Sequence, residues 1–166
     1  LLQTKIHRTE SLYGNIKNTT CAEGSILTNI LYNFCNYYEE LTIEKVDRLD
    51  EIYDTNAYFI DPVNEINGLD SIKRYFQSLL VNISYCRFNI EQLIEQEDQA
   101  FLTWEMNFSH PKLSSGRAIK VQGVSQLKFN RLITFHRDYY DLGEMIYEQI
   151  PILKSLVKKV KGNLIG

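Results

Sequence analysis

The chain has 166 residues, the usual size of one domain and long enough to bury most of the surface its unfolded form exposes. Apolar residues make up 44% and aromatics 12%, eleven of them tyrosine, so the composition is globular and gives no sign of disorder. The formal charge of −3 gives the whole chain no attraction for nucleic acid or an anionic membrane, and no run of about 18 apolar residues exists to span a bilayer.

Residues 1–24 are polar and aperiodic and are read as an N-terminal extension; residues 25–166 are read as a single domain. The three cysteines, Cys21, Cys35 and Cys86, are widely spaced and lack a neighbouring histidine cluster, so they are expected to be reduced and buried, with no metal site. Three glycosylation sequons begin at Asn18, Asn82 and Asn107, but the N-terminus shows no charged start followed by an apolar run. A cytoplasmic location is therefore the expectation.

Thr28 is placed to cap a helix whose apolar positions Ile30, Leu31, Phe34, Tyr37, Tyr38 and Leu41 recur at three- and four-residue steps. Thr42 starts a second helix, with Ile43, Val46, Leu49, Ile52 and Tyr53 on one side and charges on the other. Ala57 to Ile60 reads as a short strand halted by Asp61-Pro62, since proline removes a ladder donor and turns the preceding residue away from helix. After a turn at Asn67-Gly68, Asp70 opens a third helix with Ile72, Tyr75, Phe76, Leu79 and Leu80 on its buried face.

Beyond residue 83 the period falls from about 3.6 to 2. Strands are expected near 84–95, 99–109, 117–129 and 132–140, joined by hairpins at 96–98, 112–116 and 130–131. Asp141, with Glu144 three residues on, caps a last helix, and Pro151 separates it from an amphipathic stretch, Ile152 to Val160. That stretch sets Lys154, Lys158, Lys159 and Lys161 among apolar residues, the layout of a short membrane-surface helix; packing onto the sheet or over a pocket mouth is the expectation. This order of elements is an α+β plan in which helices cover one face of a curved sheet that can enclose a pocket.

The segments FIDPVNEINGLDSIKRYF (59–76), FLTWEMNFSHP (101–111), GRAIKVQGVSQLKF (116–129) and ITFHRDYYDLGEMIYEQIPIL (133–153) resemble the SnoaL-like branch of the nuclear transport factor two superfamily, over residues 28–153. The resemblance implies a cone-shaped, strongly curved mixed sheet, largely antiparallel, wrapped on N-terminal helices, with a C-terminal helix and a pocket for a small, mostly apolar molecule. It also implies a homodimer through the outer sheet face, and no cofactor. Relatives include isomerases, cyclases and epoxide hydrolases alongside proteins without known activity, so the resemblance leaves open whether this chain is an enzyme.

On the strand ending at Tyr140, alternation puts His136, Asp138 and Tyr140 on one side. Arg137 to Asp141 resembles the R-D-Y-[FY]-D segment of limonene-epoxide hydrolases, in which the residue matching Asp138 is one of two acids that activate water. Asp138 is the leading candidate for acid or base, because an apolar pocket and a second carboxylate both move a carboxyl toward neutrality. The hydrolase's arginine and second acid fall at Thr103 and Glu105, or at Asn107 for a slip of two; the arginine is absent. Glu105 and His136 join Asp138 as catalytic candidates, and Phe59, Asp61, Thr103, Asn107 and Tyr140 are candidates for binding a ligand.

Each has a structural alternative: Asp138 as a carboxylate paired with His136, Arg137 or Arg117, Asp61 as a turn former, His136 as a packing residue. Trp104 and Met106, opposite Glu105, are expected to pack against helices or a second subunit. A filled cone with Asp138 locked in an ion pair would argue against catalysis.

Overall fold

Alternating short apolar and polar residues over 85–140 build one sheet, and the helices before it supply the apolar stripes that cover one of its faces. The computed structural model describes residues 28–165, so the N-terminal extension and Cys21 lie outside the described residues. α1 (Asn29–Glu39) is followed by a 3-10 helix (Ile43–Glu51), β1 (Tyr53–Ile60), β2 (Glu65–Asn67) and α2 (Leu69–Leu80). The long strands are β3 (Tyr85–Gln96), β4 (Gln99–Ser109), β5 (Ile119–Phe129) and β6 (Ile133–Tyr140); α3 (Leu142–Met145) and α4 (Pro151–Ile165) close the chain.

The six strands form one curved, unclosed sheet in the order β2-β1-β6-β5-β4-β3. Every neighbouring pair is antiparallel except β1 with β6. This parallel pair closes a loop of about eighty residues and sets Phe59 opposite His136. In β3 the pairing runs from Ile90–Trp104 to Gln92–Thr103, so Glu91 is an extra residue that bends the strand.

Inner-face residues Leu102, Trp104, Met106, Val121, Leu127 and Ile133 meet Ile30, Leu31 and Phe34 of α1, Val46 and Leu49 of the 3-10 helix, and Leu69, Ile72, Phe76 and Leu80 of α2 in one core. Each fully buried large aliphatic in it contributes about 1.5–3 kcal/mol relative to exposure. Cys35 and Cys86 are both buried there, and burial pushes the Cys86 thiol up to about 12.

Several local expectations are corrected. The second helix is a 3-10 helix with Ile43 exposed on it, β1 starts four residues earlier than periodicity indicated, and a short β2 occupies part of the expected turn. Thr28 opens α1 through its carbonyl, which accepts from Leu31 and Tyr32, without a side-chain cap. α2 begins one residue before Asp70, behind Gly68, whose φ of 81° suits glycine. Leu79 is exposed and Leu69 takes a place on the buried face. The Asp141 cap is present: its Oδ1 accepts from Gly143 N at 2.7 Å and from Glu144 N at 3.2 Å. Contrary to expectation, α4 lies largely bare: over residues 151–164 only Leu153 and Val157 are half-buried.

Candidate functional site

β6 is the spine of the candidate site. Its alternation sends His136, Asp138 and Tyr140 to the inner face, where the β5 register puts Leu127, Ser125 and Gly123 beside them in turn. His136 is 1% exposed and enclosed by aromatics. The rings of Phe34 and Phe59 meet it edge-on at 5.3 and 5.0 Å, and Tyr53 stacks parallel to it at 5.9 Å.

A line of hydrogen bonds runs through this imidazole. Its Nε2 lies 2.7 Å from Asp138 Oδ1 and its Nδ1 lies 2.5 Å from the Tyr53 hydroxyl, which is 2.6 Å from the Tyr38 hydroxyl. With Asp138 ionised, one proton assignment satisfies every member: Tyr38 donates to Tyr53, Tyr53 donates to Nδ1, and Nε2–H donates to the carboxylate. A doubly protonated ring would reverse the line and leave the Tyr38 hydrogen without an acceptor among the described residues. Burial above all holds the Tyr38 and Tyr53 phenols well above the usual tyrosine range, so both stay protonated donors.

Ser125 completes the tether. Its hydroxyl donates to Asp138 Oδ1 and accepts from the indole Nε1–H of Trp104 at 2.9 Å. Both internal donors to Asp138 therefore converge on one oxygen, while among the described residues Oδ2 receives no hydrogen bond. The side chain is 14% exposed, so this oxygen sits at the edge of the core rather than deep inside it. The space beside Asp138, lined by Tyr38, Phe88, Ile90, Trp104 and Ser125 among others, has a free volume of about 10 Å³. That holds one water at most.

A second polar group adjoins it. Asp61 Oδ1 accepts from Val63 N and Asn64 N, each at 2.7 Å, the turn-forming role that a carboxylate before proline performs. Its Oδ2 accepts from the Tyr75 hydroxyl at 2.5 Å. Burial raises the Tyr75 and Tyr140 phenols, and the negative charges of both Asp61 and Asp138 add to the effect. The two carboxylates thus share an aromatic surround that also holds Phe59.

Structure brings together Asp138, His136, Phe59, Tyr140 and Asp61, and keeps Glu105, Thr103 and Asn107 away from them. Trp104 and Met106 point inward, so the alternate residues of β4 lie on the outer face. Glu105 there accepts from Asn107 Nδ2 and from Lys120 Nζ, both at 3.0 Å, and the amide and then the ammonium hold its carboxyl below the usual range. Ser125, Tyr53 and Tyr38 also belong to the site, although the sequence marks the two tyrosines only as apolar helix positions and Ser125 by no motif. The available signal was Ser125, a lone hydroxyl in the alternating inner series Val121, Gly123, Ser125, Leu127, Phe129. Among the described residues no cluster of three or more His, Cys, Asp or Glu is arranged to hold a metal ion.

Residues 35–134 match the family model of the SnoaL-like domain. The chain belongs to the SnoaL-like domain family. Solved structures with this SnoaL-like fold include a Catenulispora acidiphila protein of ketosteroid isomerase-like fold in complex with trimethylamine, 13% identical, covering 75% of this chain and 93% of its own, with a TM-score of 0.64. A Shewanella putrefaciens protein provisionally assigned as a SnoaL-like polyketide cyclase is 19% identical, with coverages of 74% and 94% and a TM-score of 0.61. A protein of Acidithiobacillus ferrooxidans, provisionally a polyketide cyclase, is 20% identical, with coverages of 78% and 99% and the same TM-score. No curated protein matches the chain. At these identities the SnoaL-like neighbours speak for the fold alone.

Proposed function

We propose that this SnoaL-like domain binds a small, mostly apolar molecule inside its curved sheet and that Asp138 exchanges a proton with it, as in an isomerase, cyclase or hydrolase. The observation that carries this reading is the asymmetry of the Asp138 carboxylate: Oδ1 is held by Ser125 and His136, whereas Oδ2 keeps its lone pairs for a ligand. A tethered carboxylate at the edge of an aromatic core is a pre-positioned general base, and His136 and Ser125 fix its orientation. Oδ2 takes a proton from a carbon beside a carbonyl, or from water, and returns it elsewhere on the ligand. The residues call for no cofactor.

The ligand enters by displacing side chains, since the space beside Asp138 has room for one water at most. Trp104 is the largest of these, and its swing breaks one hydrogen bond to Ser125. The small volume favours a second reading, a domain of the same fold that binds or scaffolds without turnover. Deuterium exchange beside the carbonyl of cyclohexanone, followed by NMR with wild type and Asp138→Asn, separates the two. Exchange catalysed by the wild type and lost in a variant of similar melting temperature supports the acid-base reading. Absence of exchange with both, despite shifted backbone resonances, supports binding alone.

Homodimerisation and a cytoplasmic location belong to the same proposal. The outer face exposes the apolar side chains Ile94, Phe101 and Tyr139, suited to a second copy, and carries a shallow, half-polar hollow lined by Glu91, Gln92, Thr103, Gln122 and Val124. Light scattering on the purified chain gives the mass that decides it. Among the described residues no helix is long and apolar enough to cross a membrane.

A further inference from the structure

α4 leaves the domain with little to cover it. Ile152, Leu156, Val160 and Leu164, spaced every fourth residue, are 75%, 55%, 58% and 81% exposed. At about 100° per residue these four sweep an arc of roughly 120°, a stripe on one side of a helix about 22 Å long. On the same helical wheel Lys159 flanks the stripe, about 80° from its centre, whereas Lys154 and Lys158 lie about 140° and 180° from it on the polar side. None of the three pairs with a described residue, while Lys161 bonds Glu148 at 2.7 Å.

Residues 151–166 hold four of the chain's 18 basic residues and none of its 21 acidic ones, although the whole chain is acidic. The segment has no aromatic residue and no arginine, the residues that anchor protein interfaces, and is rich in lysine, which such interfaces avoid. A second copy of α4 would set four more lysines and no acid beside these. A negatively charged lipid surface fits better. Its acyl boundary accepts aliphatic side chains without shape matching, and its phosphates accept the flexible ammonium groups that lysine stems carry outward.

We propose that α4 is an interfacial helix that docks the domain on an anionic lipid surface. Its Ile152–Leu164 stripe enters the acyl boundary, Lys159 on its flank meets the lipid phosphates, and Lys154 and Lys158 on the polar side add to the attraction of the anionic surface. The helix lies in the plane of the surface and does not cross it.

Flotation of the full chain with phosphatidylcholine vesicles containing about one third phosphatidylserine tests this, with pure phosphatidylcholine vesicles alongside. Expected is binding to the anionic vesicles alone, reduced at least about tenfold when salt is raised to about 0.5 M. The same loss is expected at low salt in the triple variant Lys154→Glu, Lys158→Glu, Lys159→Glu and in the double variant Leu156→Ser, Val160→Ser. All five positions are exposed, so unchanged Trp104 fluorescence certifies the fold. Wild type that floats with neither vesicle, or equally with both, overturns the proposal. So does a chain that floats with neither and self-associates through α4, losing that association in the Leu156→Ser, Val160→Ser variant.

Discussion

The indole of Trp104 lies so close over Gly123 that a methyl group on the glycine would sit 2.3 Å from ring carbons Cη2 and Cζ2. The two residues are cross-strand partners on β4 and β5, and only a residue without Cβ lets the ring lie flat against β5 with Nε1–H aimed at Ser125.

Gly123→Ala therefore evicts the indole or pushes the strands apart, at a cost of about 1–3 kcal/mol for overpacking. Because Trp104 is the chain's single tryptophan, its emission reports the event directly. Expected are a red shift in fluorescence and a lower urea midpoint.

The two buried tyrosines are unequal in consequence. Tyr53→Phe cuts the line in its middle and strands both the His136 Nδ1 acceptor and the Tyr38 hydroxyl, for about 1–3 kcal/mol. Tyr38→Phe removes only the terminal donor and costs about 0.5–1.5 kcal/mol. Denaturant unfolding of the two single variants and the double variant measures this order and the coupling between them.

Alkaline pH is expected to destabilise the fold steeply. Below about pH 9 folded and unfolded chains both keep their phenol protons, and these groups give no slope. Above about pH 10 the unfolded chain releases protons that Tyr38 and Tyr53, held well above the usual range, still retain in the fold. Stability then falls with rising pH by about 1.4 kcal/mol per pH unit for each such tyrosine. Urea midpoints across this range, compared between wild type and Tyr53→Phe, show a shallower fall in the variant.

Glu105→Gln serves as the contrast. On the outer face, tied to Lys120 and Asn107, Glu105 has no contact with the Asp138 group, so its amide variant keeps any proton-exchange activity that Asp138→Asn abolishes. A parallel loss in both variants, measured in the same exchange assay, would mean that β4 presents the opposite face to the ligand.

Local rules made most of the fold legible. The stripe Ile30, Leu31, Phe34, Tyr37, Tyr38 needed no more than helical periodicity to predict burial, and Asp141 with Glu144 announced a helix start that the cap distances confirm. The strands beyond residue 83 followed from alternation and turn residues, within a few positions of where β3 to β6 run. Errors fell where local preference is weak: the 3-10 geometry after Thr42, the early start of β1, and Gly68 in place of Asp70 at the head of α2.

By itself the sequence determined that Glu105, Thr103 and Asn107 share one face of β4 and that His136, Asp138 and Tyr140 share one face of β6, because alternate residues of a strand must point the same way. Which of those faces the helices cover is set by packing of the whole sheet, and this put the first group outside and the second inside. The contact of Tyr53 with His136, 83 positions apart, was likewise beyond any local pattern. It arises because the parallel β1–β6 pairing and the core around Phe34 and Phe59 exclude water from both rings, so that their polar atoms find partners inside the core, the Tyr53 hydroxyl in Nδ1 and Tyr38 and the imidazole in Tyr53 and Asp138.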